Sequence, residues 1–272
     1  MSTVLITGAA GVVGGILRRR LARPGRTLRL LDLAALEAGP GEETIVGSVT
    51  DLAAVEQACA GVDAVIHLGG ISSEAPWAKI LDVNINGTYN VFEGARRAGV
   101  PRVVFASSNH AVGFHTPADY PLPEDAQIAP DTYYGVAKAA GEALGSLYHD
   151  RYGLDVISVR ILTCFPELPS PRALSTWLSP DDAGRLFEAC LTAPSPGYRI
   201  VYGVSANTRG GEAWVSLAAA RELGYLPQDD AEVHAEDVLA RFGPTPPDDP
   251  QFAHLGGQFC FSDFDADKLG GQ

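Results

Sequence analysis

Val4-Leu5-Ile6-Thr7-Gly8-Ala9-Ala10-Gly11-Val12-Val13-Gly14 is the stretch that decides the fold of this chain. Its first four residues read as a buried strand. Three glycines at intervals of three follow at once, and a basic helix pattern runs on through Arg20. Glycines in that turn allow a tight bend, a close approach of backbone to a pyrophosphate, and close packing of helix on strand. The N-terminus of the helix then offers unpaired N–H groups to an anion. The spacing is G-x-x-G-x-x-G rather than the commoner G-x-G-x-x-G, and an ordinary glycine-rich turn is the plain alternative. Position favours the dinucleotide reading, because the glycines follow the first strand and open a helix. Asp32, roughly twenty residues past the middle of the motif, ends the apolar run Leu28-Arg29-Leu30-Leu31, where a carboxylate holds a ribose 2′-OH. It would repel a 2′-phosphate, so NAD is expected over NADP.

Outward from that turn, strands alternate with helices. Thr44–Gly47 and Ala64–Leu68 read as strands, with a helix over Asp51–Cys59 between them. A long helix pattern covers Lys79–Gly99, followed by a strand at Arg102–Phe105, a helix over Tyr133–Tyr152 and a strand at Asp155–Ile161. Such alternation implies an α/β fold, a Rossmann-type doubly wound parallel sheet covered on both faces. After Ile161 the pattern loosens around Pro166, Pro169 and Pro171. Helices over Asp181–Leu191 and Glu212–Leu223 and a strand at Arg199–Tyr202 remain. Residues 1–162 are therefore expected to form the nucleotide domain, and 163–272 a small substrate lobe interleaved with it.

Tyr134 and Lys138 are four apart on the helix over Tyr133–Tyr152, so they share a face with about 5–6 Å between Cβ atoms. An ammonium beside a phenol favours the phenolate. Ser107 and Ser108 end an apolar strand, and hydroxyls at a strand's carboxyl end sit where open α/β sheets bind ligands. A Ser, a Tyr and a Lys converging there form a relay for moving a hydroxyl proton.

Composition agrees with an ordinary soluble globule: 272 residues, 46% hydrophobic and 19% charged. The net charge of −13 argues against a nucleic-acid surface. No signal peptide or bilayer-spanning apolar run is visible. Cys59, Cys164, Cys190 and Cys260 lack pairing or metal spacing, as in a reduced cytosolic protein. A cytoplasmic enzyme with no membrane partner is expected.

Gly8-Ala9-Ala10-Gly11-x-x-Gly14, Asp32, His67-Leu68-Gly69-Gly70, Asn84-Ile85-x-Gly87-Thr88, Ser107-Ser108 and Tyr134-x-x-x-Lys138 together resemble the extended short-chain dehydrogenase/reductase superfamily, over residues 3–230. Phe105–His110, His67–Ser72 and Leu174–Ser179 look more closely like the uronate dehydrogenase family, whose members oxidise C1 of D-glucuronate and D-galacturonate with NAD to the aldarolactone. The resemblance implies Tyr134 as general base, Lys138 as its pKa-lowering partner and ribose contact, and Ser108 as the group that hydrogen-bonds the reacting oxygen. It implies cofactor contacts from the glycine turn, including Val12 and Val13, from Asp32 and Leu33, from Leu68, Gly69 and Gly70, and from Asn84, a family position regarded also as structural or as part of a proton relay. It implies that Ser72, Asn109 and His110 line the sugar, that Thr163 stands at a substrate-contacting serine position, and that Arg172 binds the carboxylate. Ser48 replaces an Asp often used against the adenine. Thr163 adds a methyl beside the sugar.

A carboxylate substrate asks for an arginine, whose planar guanidinium pairs with it in bidentate fashion. Arg160 lies within a strand pattern and Arg185 on a helix. Arg172, in a proline-bounded loop, and Arg209 remain as candidates, and the resemblance selects Arg172. His67 reads as a core histidine. His110 either holds substrate or caps its loop. His115, His149 and His234 have no companions at metal-ligand spacing, so no metal site is expected. A nucleotide-sugar epimerase or dehydratase shares the same relay and is the alternative enzyme; an NAD-sensing regulator is the non-catalytic one. Segments Leu81–Ala95 and Gly141–Tyr148 are expected to pair in a homo-oligomer. The tail His254–Gln272, with Phe259, Phe261 and Phe264, folds back either on a neighbour or on its own chain.

Overall fold

Apolar residues at alternate positions of each strand point to opposite faces, and two clusters result. In β1 (Ser2–Thr7), Val4 and Ile6 join one cluster while Leu5 joins the other. In β5 (Arg102–Ser108), Val104 joins the first while Val103 and Phe105 join the second. This computed structural model describes residues 2–208, 213–246 and 248–261. Arg209 and Phe264 lie outside the described residues.

Seven parallel strands make one sheet. Besides β1 and β5 they are β2 (Arg26–Asp32), β3 (Glu42–Val46), β4 (Ala64–His67), β6 (Asp155–Ile161) and β7 (Tyr198–Gly203), in the order β3-β2-β1-β4-β5-β6-β7. The chain direction across the sheet reverses between β1 and β4, so a crevice opens beyond their carboxyl ends. The expected α/β Rossmann-type sheet is present, and β7, from the looser second half of the chain, extends it.

Helix α1 (Val12–Leu21) and α7 (Pro180–Thr192) pack together on one face. A Cβ on Gly184 would come 2.6 Å from the Arg20 side chain, so glycine permits that approach. The other face carries α2 (Leu52–Cys59), α4 (Gly87–Arg97) and α5 (Tyr133–Tyr152). The helix expected over Lys79–Gly99 is three pieces: α3 (Trp77–Lys79), a π-helical turn (Ile80–Asn86) and α4. Such turns insert a residue into the helical ladder and frequently mark functional sites. Short α6 (Ala173–Thr176), α8 (Ala218–Glu222) and α9 (Ala235–Phe242) complete the chain. The expected helix over Glu212–Leu223 is thus described only as the five residues of α8. Among the described residues no helix is long and apolar enough to cross a membrane.

Candidate active site

At the switch point lies a cleft of about 910 Å³, open at the carboxyl ends of β1, β4, β5 and β6. One end is built by the first βα turn. Gly8 adopts φ +69°, and a Cβ there would sit 2.7 Å from Gly69 N. A Cβ on Gly14 would lie 2.5 Å from the Gly8 carbonyl. Any larger residue would fill the cradle or push the helix off the strand. Gly11 caps α1 without a side-chain hydrogen bond, so the first-turn N–H groups remain available to an anion. Asp32 accepts from Ala10 N–H at 2.9 Å and Ala34 N–H at 3.0 Å, which ties its carboxylate to the same turn. These features fit a dinucleotide. Val12, Val13, Leu33, Leu68, Gly69 and Gly70 line the cleft with them, as does Ser48, whose hydroxyl pairs with Thr50 at 2.8 Å.

Asn84, expected either among the cofactor contacts or in a structural or proton-relay role, does not line the cleft. Its Oδ1 accepts from Ile71 N–H and its Nδ2 donates to the Ile71 carbonyl, both at 2.8 Å. Presented by the π-helical turn, it braces the loop that carries Gly70 and Ser72. His67 is a core histidine, between the hydroxyls of Thr7 at 2.8 Å and Thr88 at 3.1 Å. Burial, with the Lys138 charge, pushes its pKa down to about 3, which keeps it neutral.

Ser108, Tyr134 and Lys138 converge on the same cleft. Thr132 caps α5 by accepting from Gly135 N–H at 3.0 Å, and Glu74 accepts from Tyr134 N–H at 2.9 Å, so two contacts fix the start of the helix. Lys138 Nζ donates to the Ala106 carbonyl at 2.6 Å and stands 5.4 Å above the Tyr134 ring. The expectation that Lys138 lowers the phenol pKa meets a stronger effect. Burial pushes Tyr134 up to about 12, with the Ser108 hydroxyl pulling it down and the Asp131 charge pushing it up. Burial also brings Lys138 down to about 8, against the raising influence of Glu142. Desolvation disfavours both charged forms, and it is the largest influence on each. Behind this pair, Glu142 accepts from Ser107 at 2.6 Å and from Arg160 at 2.8 Å through two nitrogens.

The far end of the cleft is closed by the chain's own C-terminal segment. Asn109 Nδ2 donates to the Leu255 carbonyl at 2.9 Å, and Phe259 lies 4.3 Å from the His110 ring. Arg172 donates to the carbonyls of Gln251, at 3.1 Å, and Leu255, and lies over Trp214 at 5.2 Å. Among the described residues no carboxylate pairs with it. Burial lowers its pKa to about 10, while Tyr120, Cys260 and Asp131 act upward. A half-buried guanidinium met mainly by neutral carbonyls is able to take an anion. Thr163 lines the cleft nearby, paired to Thr176 and Leu178 through backbone hydrogen bonds of 3.0 and 2.8 Å. Ser72 lines the opposite side, exposed.

Sequence reasoning missed Glu74, Asp131 and the segment Gln251–Phe259. The aromatic content of the tail was the one available signal for the last. Among the described residues no group of three His, Cys, Asp or Glu could hold a metal.

Known proteins show the same arrangement of chain. Residues 4–178 match the model of the NAD dependent epimerase/dehydratase family. The chain is 43% identical to the uronate dehydrogenase of Pseudomonas putida over 259 residues, 94% of this chain and 95% of that one. It is 43% identical to the uronate dehydrogenase of Agrobacterium fabrum, over 95% of this chain and 97% of that one. A solved structure of uronate dehydrogenase from Agrobacterium tumefaciens, a mutant complexed with NAD, superposes with a TM-score of 0.90 at 41% identity, covering 96% and 98% of the two chains. With relatives aligned along nearly its whole length, the chain belongs to the NAD dependent epimerase/dehydratase family.

Proposed function

We propose that this protein is an NAD-dependent uronate dehydrogenase, oxidising C1 of hexuronates such as D-glucuronate and D-galacturonate to the aldarolactone. The observation that carries the reading is Arg172: half-buried and, among the described residues, without a carboxylate partner, it opens on the same cleft as Ser108, Tyr134 and Lys138. A sugar acid fits that arrangement with its carboxylate at Arg172 and its anomeric hydroxyl at Tyr134. The names of the relatives support the substrate class.

NAD supplies the hydride acceptor and, in its oxidised form, a positive charge that favours phenolate. Tyr134 removes the C1 hydroxyl proton, Ser108 orients that oxygen, and Lys138 donates toward the ribose side. Asn109 and His110 hold sugar hydroxyls. Orientation between fixed ends carries much of the rate, because the cofactor holds the difficult chemistry. A nucleotide-sugar epimerase would need room for a nucleoside diphosphate where Gln251 and Gly256–Phe259 stand against Arg172.

The same proposal reads residues 1–162 as the cofactor-binding unit and 163–272 as the sugar-binding one. It places the enzyme in the cytoplasm as a homo-oligomer paired through α4 and α5, where Tyr89, Leu147 and Tyr152 are exposed. The test is direct. Absorbance of reduced cofactor is followed with NAD and either uronate, for the wild type and Arg172→Ala. The expected result is turnover with NAD preferred over NADP, and a KM for uronate raised at least tenfold by the substitution. No turnover, or an unchanged KM and kcat in Arg172→Ala, would overturn it.

A further inference from the structure

Thr163 and Thr176 touch through their hydroxyls, Oγ1 to Oγ1 at 2.9 Å. Either could donate in isolation. The rest of the network favours one direction. A threonine hydroxyl has one proton and two lone pairs. Thr176, with no exposed surface, stands 3.2 Å from the Arg172 carbonyl, which can only accept. With the Thr176 proton on that carbonyl, the 2.9 Å contact is completed by the proton of Thr163. Thr163 lines the cleft; Thr176 does not. What Thr163 can show a ligand is lone pairs alone.

We propose that Thr176 is a positioning residue that fixes Thr163 as a hydrogen-bond acceptor, so that the site selects a sugar hydroxyl able to donate at that point. This rests on the reading of Thr163 as a sugar contact given above, and it deepens that reading by stating the polarity of the contact. The arrangement also joins the contact to the carboxylate anchor. Thr176 bonds the backbone of Arg172, Thr163 N–H donates to the Thr176 carbonyl, and Leu178 N–H donates to the Thr163 carbonyl. Polarity and anchor position are thus set by one short element. A group at the same place that accepts but cannot donate, such as a ring oxygen, a carbonyl or a fluorine, would face lone pairs. Buried acceptors left without a donor are what make such sites discriminate.

The experiment uses monofluoro analogues of the hexuronate, each with one hydroxyl other than the anomeric one replaced by fluorine. KM and kcat are measured at saturating NAD for wild type, Thr176→Val, Thr176→Ser and Thr163→Val. In the wild type one analogue is expected to raise KM roughly three- to tenfold with kcat little changed, the range of one neutral hydrogen bond. Thr176→Ser keeps a hydroxyl and keeps the penalty. Thr176→Val frees the Thr163 proton to turn toward the ligand, and the penalty falls below half its wild-type size. Thr163→Val removes the acceptor and abolishes the penalty. Should valine at 176 destabilise the chain, Thr176→Ala makes the same test. Equal KM for all analogues in the wild type, or an undiminished penalty in Thr176→Val and Thr176→Ala, overturns the proposal. In either case the wild type still oxidises the parent hexuronate, which separates this failure from that of the dehydrogenase reading, where no hexuronate is oxidised at all.

Discussion

His110 Nδ1 lies 2.7 Å from Oδ2 of Asp131, a carboxylate whose side chain has no exposed surface. A carboxylate accepts only, so the Nδ1 proton points at Asp131 and, in the neutral imidazole, the Nε2 lone pair is left for the cleft. Asp131 also accepts from Thr132 at 2.9 Å, which links the β5 loop to the cap of α5. Gly113 and Gly256 leave it space, since a Cβ on either would fall within about 2 Å of its Oδ2.

Asp131→Asn is therefore expected to release the histidine tautomer. An amide can present its NH2 group to Nδ1 and shift the proton to Nε2, turning His110 from acceptor to donor toward the sugar. The expected outcome is a loss of about tenfold in kcat/KM for uronate, mostly in KM, with stability lowered by about 2 kcal/mol as a charged hydrogen bond is replaced by a neutral one. Steady-state kinetics and urea unfolding check the two parts separately. Unchanged KM would remove Asp131 from the sugar site.

Tyr134→Phe keeps the ring between His110 and Lys138 and removes the proton acceptor. A fall in kcat of at least about 10²-fold is expected, the usual loss when an acid/base group goes. Stability should hold or rise, because a buried hydroxyl disappears. Since burial pushes the free-protein phenol up to about 12, the wild-type rate at saturating NAD should rise with pH across neutrality as the base form accumulates. A flat rate between pH 6 and about 9, or near-normal turnover by the phenylalanine variant, would exclude Tyr134 as the base.

Much of this was legible in the residues themselves, for local reasons. Gly8, Gly14 and Asp32 act through one turn and the strand beside it, and Tyr134 and Lys138 share a face because helical spacing requires it. Arg160 was legible as structural, lying within a strand pattern. What escaped depends on contacts between distant parts of the chain. Asn109 meets Leu255 across 146 positions, and no pattern near either residue announces it. The partner of Asn84 escaped too: its structural reading came from family order, but that it meets Ile71 follows from a π-helical turn. The sign of the Tyr134 shift escaped for another reason. Spacing reports who the neighbours are, while burial, a property of the whole fold, decides how strongly charge is resisted.

Lys138 illustrates the cost of that burial. Its pKa falls from the usual 10.5 to about 8, so below pH 8 the folded protein carries a cation that the unfolded chain holds more easily. The unfolded state binds more protons between those values, and stability must rise with pH through that window. Lys138→Met is expected to abolish activity yet to gain about 2 kcal/mol at pH 7, the pKa difference converted at about 1.4 kcal/mol per unit less one lost hydrogen bond to Ala106. The gain should fade between pH 8 and 10.5. Guanidinium unfolding of both proteins across that range measures it, and a variant less stable than wild type at pH 7 would contradict the argument.

Arg160 and Glu142 are held differently, as a pair. Their side chains are 1% and 3% exposed, joined by two hydrogen bonds of 2.8 Å, with Ser107 and Tyr202 completing the set. Neither charge reaches water, and each depends on the other. Removing one partner leaves an unpaired buried ion and costs about 3–5 kcal/mol, whereas replacing both with apolar residues of similar volume is often close to neutral. Arg160→Leu and Glu142→Leu are each expected to destabilise by that amount. The double substitution should recover most of it, giving a coupling energy of several kcal/mol in a double-mutant cycle. Glu142 also raises the Lys138 pKa from one helical turn away, so the double variant should fold but carry a Lys138 that loses its proton below about 8. The rise of its activity with pH should then level off at a lower pH than that of the wild type. Additive single effects, or a double variant with the wild-type pH profile, would show that the pair neither couples nor acts on the lysine.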